Sequence, residues 1–490
     1  MSGRNWLTTL TLTGLILGAI VGEFYYRRAA DVDNGPARLA EHDALVARKN
    51  ADDAAWTPAD QVRLDALRGE IGPVLSKRAF GRAASYIGSD IFMGLLKMLI
   101  MPLIVSSVIV GVTSAGDFSR LGRMAGVTFC YFFSTMLLAV ALGLVLVSVI
   151  QPGRGFFDGP GGDEARATYL TMGAERRGEM EAMHATEGVD SPKTTMDALM
   201  GILIRMVPNN PVDDLARGQT LPVIVFSIFF GIILSMIGPS GRPLIDLMRA
   251  LMDVMIKMTE YVLCLAPVGV FFLVGRAVAG IGLETFAQKI GVYMFTVIAG
   301  LLLHGFVVLP LILWIFGRTN PWRFTIAMRE ALLLAFSTAS SSATLPVTID
   351  CAQTRGGCSR RASGFVLPLG STVNMDGTAL YEAVAVVFLA QAFSGGAIPL
   401  SDLIILALTA TLAAVGAAGI PEAGLTTMII VITAVNAGGT VYIPPAAIGL
   451  ILGVDRILDM TRTMINVWGD AVGARIITRR EPDGGAPEAG

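Results

Sequence analysis

Residues 336–346 read FSTASSSATLP, and six of the eight positions from Ser337 to Thr344 carry a hydroxyl in a chain that is 53% hydrophobic. The surrounding apolar segment runs from just after Arg329 to Ile349 and is followed by a basic loop with Arg355, Arg360 and Arg361. Short cytoplasmic loops of membrane proteins are enriched in Lys and Arg. One crossing by this segment would put those arginines outside. A re-entrant hairpin, dipping in from the cytoplasm with the hydroxyl-rich stretch at its tip, keeps them inside, and the rest of the chain fits around that choice.

With 490 residues and 16% charged residues, and a mean hydropathy of +0.64, the chain is too apolar for an ordinary globular enzyme and too long for a single anchor. Leu7–Val21, Ile91–Val112, Val127–Ile150, Leu221–Ile237, Tyr261–Val274 with its flanks, and Ile290–Phe316 are nearly uncharged runs. They approach the roughly 20 residues that a helix needs to cross a bilayer. The first run lacks a small-x-small cleavage site and reads as a retained helix rather than a signal peptide. A net charge of −2 points to no nucleic-acid partner. Cys130 and Cys264 lie in apolar runs and Cys351 and Cys358 in a short basic loop without histidine, so neither a zinc site nor a disulfide framework follows.

Arginines mark the inside loops: Arg120 and Arg123; Arg242 and Arg249; Arg318, Arg323 and Arg329. Between them fall two soluble insertions and the nearly uncharged Ala279–Gln288, which suit the outside. Arg27–Arg82 is Ala-rich with a helix start at Thr57-Pro58, the mark of a short helical cap, and Gln151–Lys193 is Gly-rich, acidic and loop-like. After the first hairpin, one helix, Gly364–Ala392, exits to the uncharged loop Phe393–Leu400. A second interrupted segment, Leu403–Val441, is broken by GAAGIPEAG at Gly416–Gly424 and reads as a hairpin entering from outside. The last helix, Ala446–Ile477, ends inside at Arg475, Arg479 and Arg480.

The predicted fold class is therefore an all-α polytopic membrane protein with eight transmembrane helices and two re-entrant helical hairpins of opposite orientation. Its segments are a first helix (1–28), an extracytoplasmic insertion (29–84), helices two and three (85–150), an extracytoplasmic loop (151–195), helices four to six (196–320), a transport core (321–480) and a cytoplasmic tail (481–490). Inverted repeats with helix breakers at matching places are how many ion-coupled transporters build a midplane site. Non-helical backbone at that depth is tolerated where protein buries it or it lines a cavity.

Each hairpin is followed by a helix bearing carboxylates. The seventh reads LPLGSTVNMDGTALYE, with Asn374, Asp376 and Glu382; the eighth reads VDRILDMTRTMINVWGD. Asp455, Asp459, Arg462 and Asn466 are spaced to share one helix face, with Thr463 adjoining and Asp470 a turn lower. Tyr131, Ser134 and Thr135 form a smaller polar patch on the third helix. A charge at bilayer centre costs at least about 2.5 to 3.5 kcal/mol, and mere helix–helix glue would use Ser, Thr and Asn instead. Taken singly, Asp455 also suits bonding to helix ends, Tyr131 suits packing, and His304, alone on the sixth helix, reads as a satisfied packing histidine. Carboxylates, carbonyls and Asn or Thr oxygens make cages for a small hard cation. A guanidinium beside a carboxylate suits a ligand with a carboxylate and an ammonium, and an acidic amino acid meets both requirements. A serine hydrolase would need a base positioned beside the serine run, and the sequence offers none.

SSSATLPVT, NMDGTALYEA, GAAGIPEAG and LDMTRTMINVWGD, with FMGLLKMLIMPLIVSSVIVG from Phe92, closely resemble the dicarboxylate/amino acid:cation symporter family, which includes the excitatory amino acid transporters and prokaryotic relatives. The resemblance runs from Phe92 through Ile477 and omits both insertions. It implies a homotrimer in the cell's inner (plasma) membrane with both termini cytoplasmic, whose hairpin-bearing domain moves like an elevator. It implies substrate binding by Ser341, Thr378, the backbone at Ile420 and Gly424, Asp459 for the ammonium, Arg462 for the side-chain carboxylate, Thr463 and Asn466. Sodium sites follow in the same way: Gly370, Asn374 and Asn466 carbonyls with Asp470; Tyr131, Ser134, Thr135, Asn374 and Asp376; and Thr372, Met375 and carbonyls of Ala414, Val415 and Ala417.

Relatives that carry C4-dicarboxylates lack the carboxylate of Asp459, and neutral amino acid exchangers lack the guanidinium of Arg462; this chain has both, which favours glutamate or aspartate. A C4-dicarboxylate or neutral amino acid symporter, or a substrate-gated anion channel, stays as the alternative. Glu382 matches a glutamate tied to proton transport in eukaryotic carriers, so Na+ is the expected coupling ion and H+ a second candidate. The two places where the family usually keeps an arginine near the pocket hold Ala339 and Met460, and Glu422 puts an acid in the second hairpin tip.

Overall fold

The computed structural model describes residues 2–480 apart from 52–55, 115–117, 160–161, 168, 171–203, 205–206, 209, 218–219, 397, 416–422 and 439–440. Among the described residues the regular structure is helical throughout, as an all-α membrane protein requires. In chain order the helices are α1 (Ser2–Ala30), α2 (Gly35–Asn50), α3 (Pro58–Glu70), α4 (Gly72–Ala84), α5 (Met93–Ser114), α6 (Phe118–Ile150), α7 (Pro211–Arg217), α8 (Thr220–Met236), α9 (Arg242–Leu263) and α10 (Ala266–Ile281). They continue as α11 (Leu283–Leu303), α12 (Leu309–Gly317), α13 (Pro321–Thr338), α14 (Ser341–Thr354), α15 (Arg360–Val373), α16 (Asp376–Ser394), α17 (Leu400–Val415), α18 (Ala423–Gly438) and α19 (Asp455–Thr478). π-Helical turns, Ser85–Phe92 and His304–Val308, join α4 to α5 and α11 to α12.

The chain divides into two compact units, one of residues 1–95, 155–172 and 262–289, the other of 96–154, 173–261 and 290–490. In the first, α1 lies directly on α10. A Cβ at Gly14 or Gly18 would run into the carbonyl oxygen of Pro267 or Phe271, so this four-residue glycine spacing is what lets the backbones touch. The insertion 29–84 is helical. Thr57 caps α3 by accepting from the Asp60 backbone N–H, while the Asp60 carboxylate accepts from Thr57 N at 2.9 Å. Leu45, Leu64 and Leu67 bury a small core against Val46 and Trp56. Across its outside, Arg63 makes a paired contact with Glu41 at 2.7 and 2.9 Å.

In the second unit the predicted hairpins are two pairs of helices, α13 with α14 and α17 with α18, each packed together. The first turns at Ala339, whose φ of 50° is left-handed, and at Ser340, whose hydroxyl accepts from Ala343 N at 3.2 Å to start α14. The tip of the second lies outside the described residues.

Three sequence expectations change. The last helix, expected from Ala446, starts at Asp455 after a 3₁₀ turn at Pro445–Leu450. The single seventh helix is two helices, α15 and α16, parted at Asn374–Met375; the side chains there bond to α19 rather than continuing a helix. The fifth apolar run also breaks, at Cys264–Leu265, before α10 starts with Pro267 in its first turn. Every residue of α16 from Asp376 to Phe393 is buried, because α6, α17, α18 and α19 all pack on it. By contrast Val145, Val149 and Phe295 on α6 and α11 are 61%, 77% and 64% exposed, an apolar surface suited to lipid.

Candidate functional site

The site is assembled where α19 faces the break between α15 and α16. Arg462 is 2% exposed. Its Nε donates to Asp459 Oδ1 at 2.9 Å, its Nη1 stands 3.4 Å from Asp455 Oδ1, and its guanidinium lies 4.4 Å over the ring centre of Tyr381. Two carboxylates and an aromatic face offset the cost of burying that cation. Gly424, the second residue of α18, fits flush on it, since a Cβ there would overlap the guanidinium carbon at 2.7 Å. Asp455, which sequence alone left open to bonding helix ends, is an ion-pair partner of Arg462.

One turn on, Asn466 locks the start of α16. Its Oδ1 accepts from Gly377 N at 2.7 Å, and its Nδ2 donates to Thr378 Oγ1 at 3.2 Å and lies 3.6 Å from Met375 Sδ. Asn374 Nδ2 then donates to Asp470 Oδ1 at 3.0 Å. Gly370 lies against the same carboxylate so closely that a Cβ would be 2.6 Å from its Cγ. The Asp470 group of the predicted cation ligands is thus brought together.

The second predicted group gathers in part. Tyr131 OH donates to Gly469 O at 2.8 Å, and Thr135 Oγ1 is 3.5 Å from Asn374 Oδ1. Asp376 is fully buried; its Oδ2 meets His304 Nε2 at 3.1 Å, while its Oδ1 has no hydrogen-bond partner among the described residues. An orphaned buried carboxylate oxygen beside amide and hydroxyl oxygens fits a small hard cation. Ser134 is not brought in: it is exposed and bonds its own helix at Cys130 O, 2.6 Å away. In the third group Met375, Ala414 and Val415 are buried and Thr372 Oγ1 donates to Leu369 O at 3.1 Å. Ala417, like Ile420 and Glu422, lies outside the described residues.

Ser341 and Thr463 are buried, Ser341 as the first residue of α14, which packs on α19. Ser337 and Thr338 bond back into their own helix at 2.8 Å each. Glu382 is fully buried; Thr427 of α18 donates to its Oε1, and its Oε2 has no hydrogen-bond partner among the described residues.

One side chain, Arg456, was missed by the sequence reading. His304, expected to be a satisfied packing histidine, is only half satisfied: its Nε2 meets Asp376 and its Nδ1 has no hydrogen-bond partner among the described residues. Arg456, one residue into α19, approaches Asp459 Oδ2 at 3.7 Å. Its three-residue spacing from Asp459 is a signal that sequence carries, whereas nothing in sequence sets His304 beside Asp376.

Comparison with known proteins settles what kind of protein carries this site. The chain matches the sodium:dicarboxylate symporter family over residues 7–480. It belongs to that family. Its relatives include excitatory amino acid transporter 3 of Mus musculus, 36% identical over 438 aligned positions, the alignment covering 80% of this chain and 78% of the relative. Excitatory amino acid transporter 2 of Homo sapiens is 34% identical over 507 aligned positions, covering 97% of this chain and 79% of the relative. A putative sodium-dependent excitatory amino acid transporter, glt-4, of Caenorhabditis elegans is 37% identical over 451 aligned positions, covering 82% of this chain and 85% of the relative. As a sodium:dicarboxylate symporter family member the chain is a multi-pass membrane transporter and not an enzyme.

Proposed function

We propose that this transporter takes up acidic amino acids, glutamate or aspartate, by sodium-coupled symport with alternating access. The observation that carries this is Arg462, buried between Asp459 and Asp455 under Gly424 of the second hairpin. It is a guanidinium for a side-chain carboxylate beside an aspartate for an ammonium. The relatives, named as excitatory amino acid transporters, support the same substrate class. Sodium is cargo, and its proposed seats are Asp470 with Asn374 and Gly370, Asp376 with Thr135, Asn374 and Tyr131, and Met375 with Thr372 and the carbonyls of Ala414 and Val415. Glu382 is the candidate carrier of a proton, since one of its oxygens has a single hydroxyl partner and the other none among the described residues.

Ion coupling is energetically required. Each net positive charge gains about 2.3 kcal/mol per 100 mV, and each tenfold sodium gradient about 1.4 kcal/mol. Two or three cations therefore concentrate an anionic amino acid by several orders of magnitude. In the bilayer we place eight crossings and two re-entrant hairpins, both termini on the cytoplasmic side, and a homotrimeric assembly, on the grounds of loop arginines and family resemblance.

The test is uptake of labelled L-aspartate and L-glutamate by the purified chain in liposomes. Saturable uptake driven by an inward sodium gradient is expected. Uptake indifferent to sodium removal would refute symport, and chloride flux without saturable uptake would favour a channel.

A further inference from the structure

Asp459 is the carboxylate assigned above to the substrate's ammonium, yet two guanidiniums already face it. Arg462 Nε occupies Oδ1 at 2.9 Å, and Arg456 Nη1 stands 3.7 Å from Oδ2. Helix stability does not account for Arg456, because it lies in the first turn of α19, where the helix dipole disfavours a cation. Its three-residue spacing turns it to the Asp459 face. Its side chain is 16% exposed, and its Nε is buried with no hydrogen-bond partner among the described residues.

A buried carboxylate needs compensation whether or not substrate is present. Arg462 is shared between Asp459 and Asp455, so within α19 two arginines stand against two aspartates. We propose that Arg456 is the resident cation of the ammonium seat: it compensates Asp459 while the carrier is empty and gives way when the substrate's ammonium arrives. This rests on acidic amino acid transport as proposed above. Arg462, in contact at 2.9 Å and stacked on Tyr381, is the fixed partner; Arg456, more distant and partly exposed, is the one free to move.

The two kinds of ligand then depend on Arg456 in opposite ways. A ligand with an amine competes with it for Asp459. A ligand with two carboxylates and no amine leaves it in place and gains its unpaired Nε as a donor. Loss of the guanidinium therefore strengthens the first ligand and weakens the second, whereas general damage to the site weakens both.

The experiment uses the full chain in liposomes under a sodium gradient, with L-aspartate as substrate and succinate as the amine-free competitor, in wild type, Arg456→Gln and Arg456→Lys. In Arg456→Gln the KM for L-aspartate is expected to fall about threefold and the inhibitory concentration of succinate to rise about tenfold. Arg456→Lys, which keeps the charge but not the guanidinium Nε, is expected to stay within about twofold of wild type for L-aspartate and to weaken succinate by less than Arg456→Gln does. Parallel shifts of the two ligands, or no shift, would overturn the proposal. Wild-type succinate competition needs no variant: if succinate is inert while aspartate is taken up, the resident cation is refuted and acidic amino acid transport stands. If sodium-dependent aspartate uptake itself is absent, the transport function is refuted and the proposal falls with it.

Discussion

Arg462 touches two carboxylates, an aromatic ring and the flat backbone of Gly424 while only 2% of it is exposed. Truncating one partner of a buried charge pair costs about 2–5 kcal/mol. Arg462→Cys is accordingly expected to cut sodium-dependent aspartate uptake by at least about thirtyfold and to open the site to neutral amino acids; undiminished aspartate transport in that variant would remove the carboxylate role. For Glu382, the expectation is that Glu382→Gln flattens the pH dependence of uptake, measured with internal and external pH varied separately, and an unchanged profile would remove the proton role. At this scale the chemistry of α19 is legible because helix spacing sets which side chains share a face. Ser134 misled for the opposite reason: a resemblance names a position, but the rotation of α6 decides where its hydroxyl points.

Among elements, the cap formed by α2 and α3 is the part whose stability follows from local rules. Thr57→Ala removes an N-cap hydroxyl and is expected to destabilise the start of α3 by about 1 kcal/mol, read as faster amide exchange in residues 59–61. Arg63, by hydrogen bonding and charge, holds the Glu41 carboxyl below its ordinary value. A carboxyl lowered on folding contributes stability above its unfolded value and loses it as pH falls through the folded one. Protection in α2 and α3, taken relative to the intrinsic exchange rate at each pH, should therefore fall slightly below about pH 4, the effect being small because the pair is exposed. An unchanged protection pattern at pH 3 would show that the pair contributes nothing. Sequence disclosed the Thr57-Pro58 start and both hairpins, since Pro, Gly and hydroxyl runs break helices by local sterics and competing bonds. It did not disclose the break at Asn374–Met375, because the groups that hold that backbone open, Asn466 and Asp470, come from α19.

For the whole molecule, the side of each loop is the quantity to measure. With the four native cysteines replaced by serine, a cysteine at Thr319 should react with an impermeant maleimide only from the cytoplasmic side, and one at Gly395 only from outside. Labelling of both from one side would overturn the count of crossings. Membership of a helical transporter class follows from sequence alone, because a bilayer demands long apolar helices, and the proposed count of crossings rests on how arginine is sorted by side. Sequence also determined which residues carry charge into the membrane, since their cost there leaves no neutral explanation for four aspartates and an arginine. The pairings within α19, Arg462 with Asp455 and Asp459 and Arg456 with Asp459, follow helix spacing. Tertiary structure alone decided the pairings between elements: Asp376 meets His304, Tyr381 lies against Arg462, and Asn374 reaches Asp470. Charge compensation at low dielectric depends on distances of a few ångströms between side chains, and where those side chains lie on separate elements only the packed fold sets those distances.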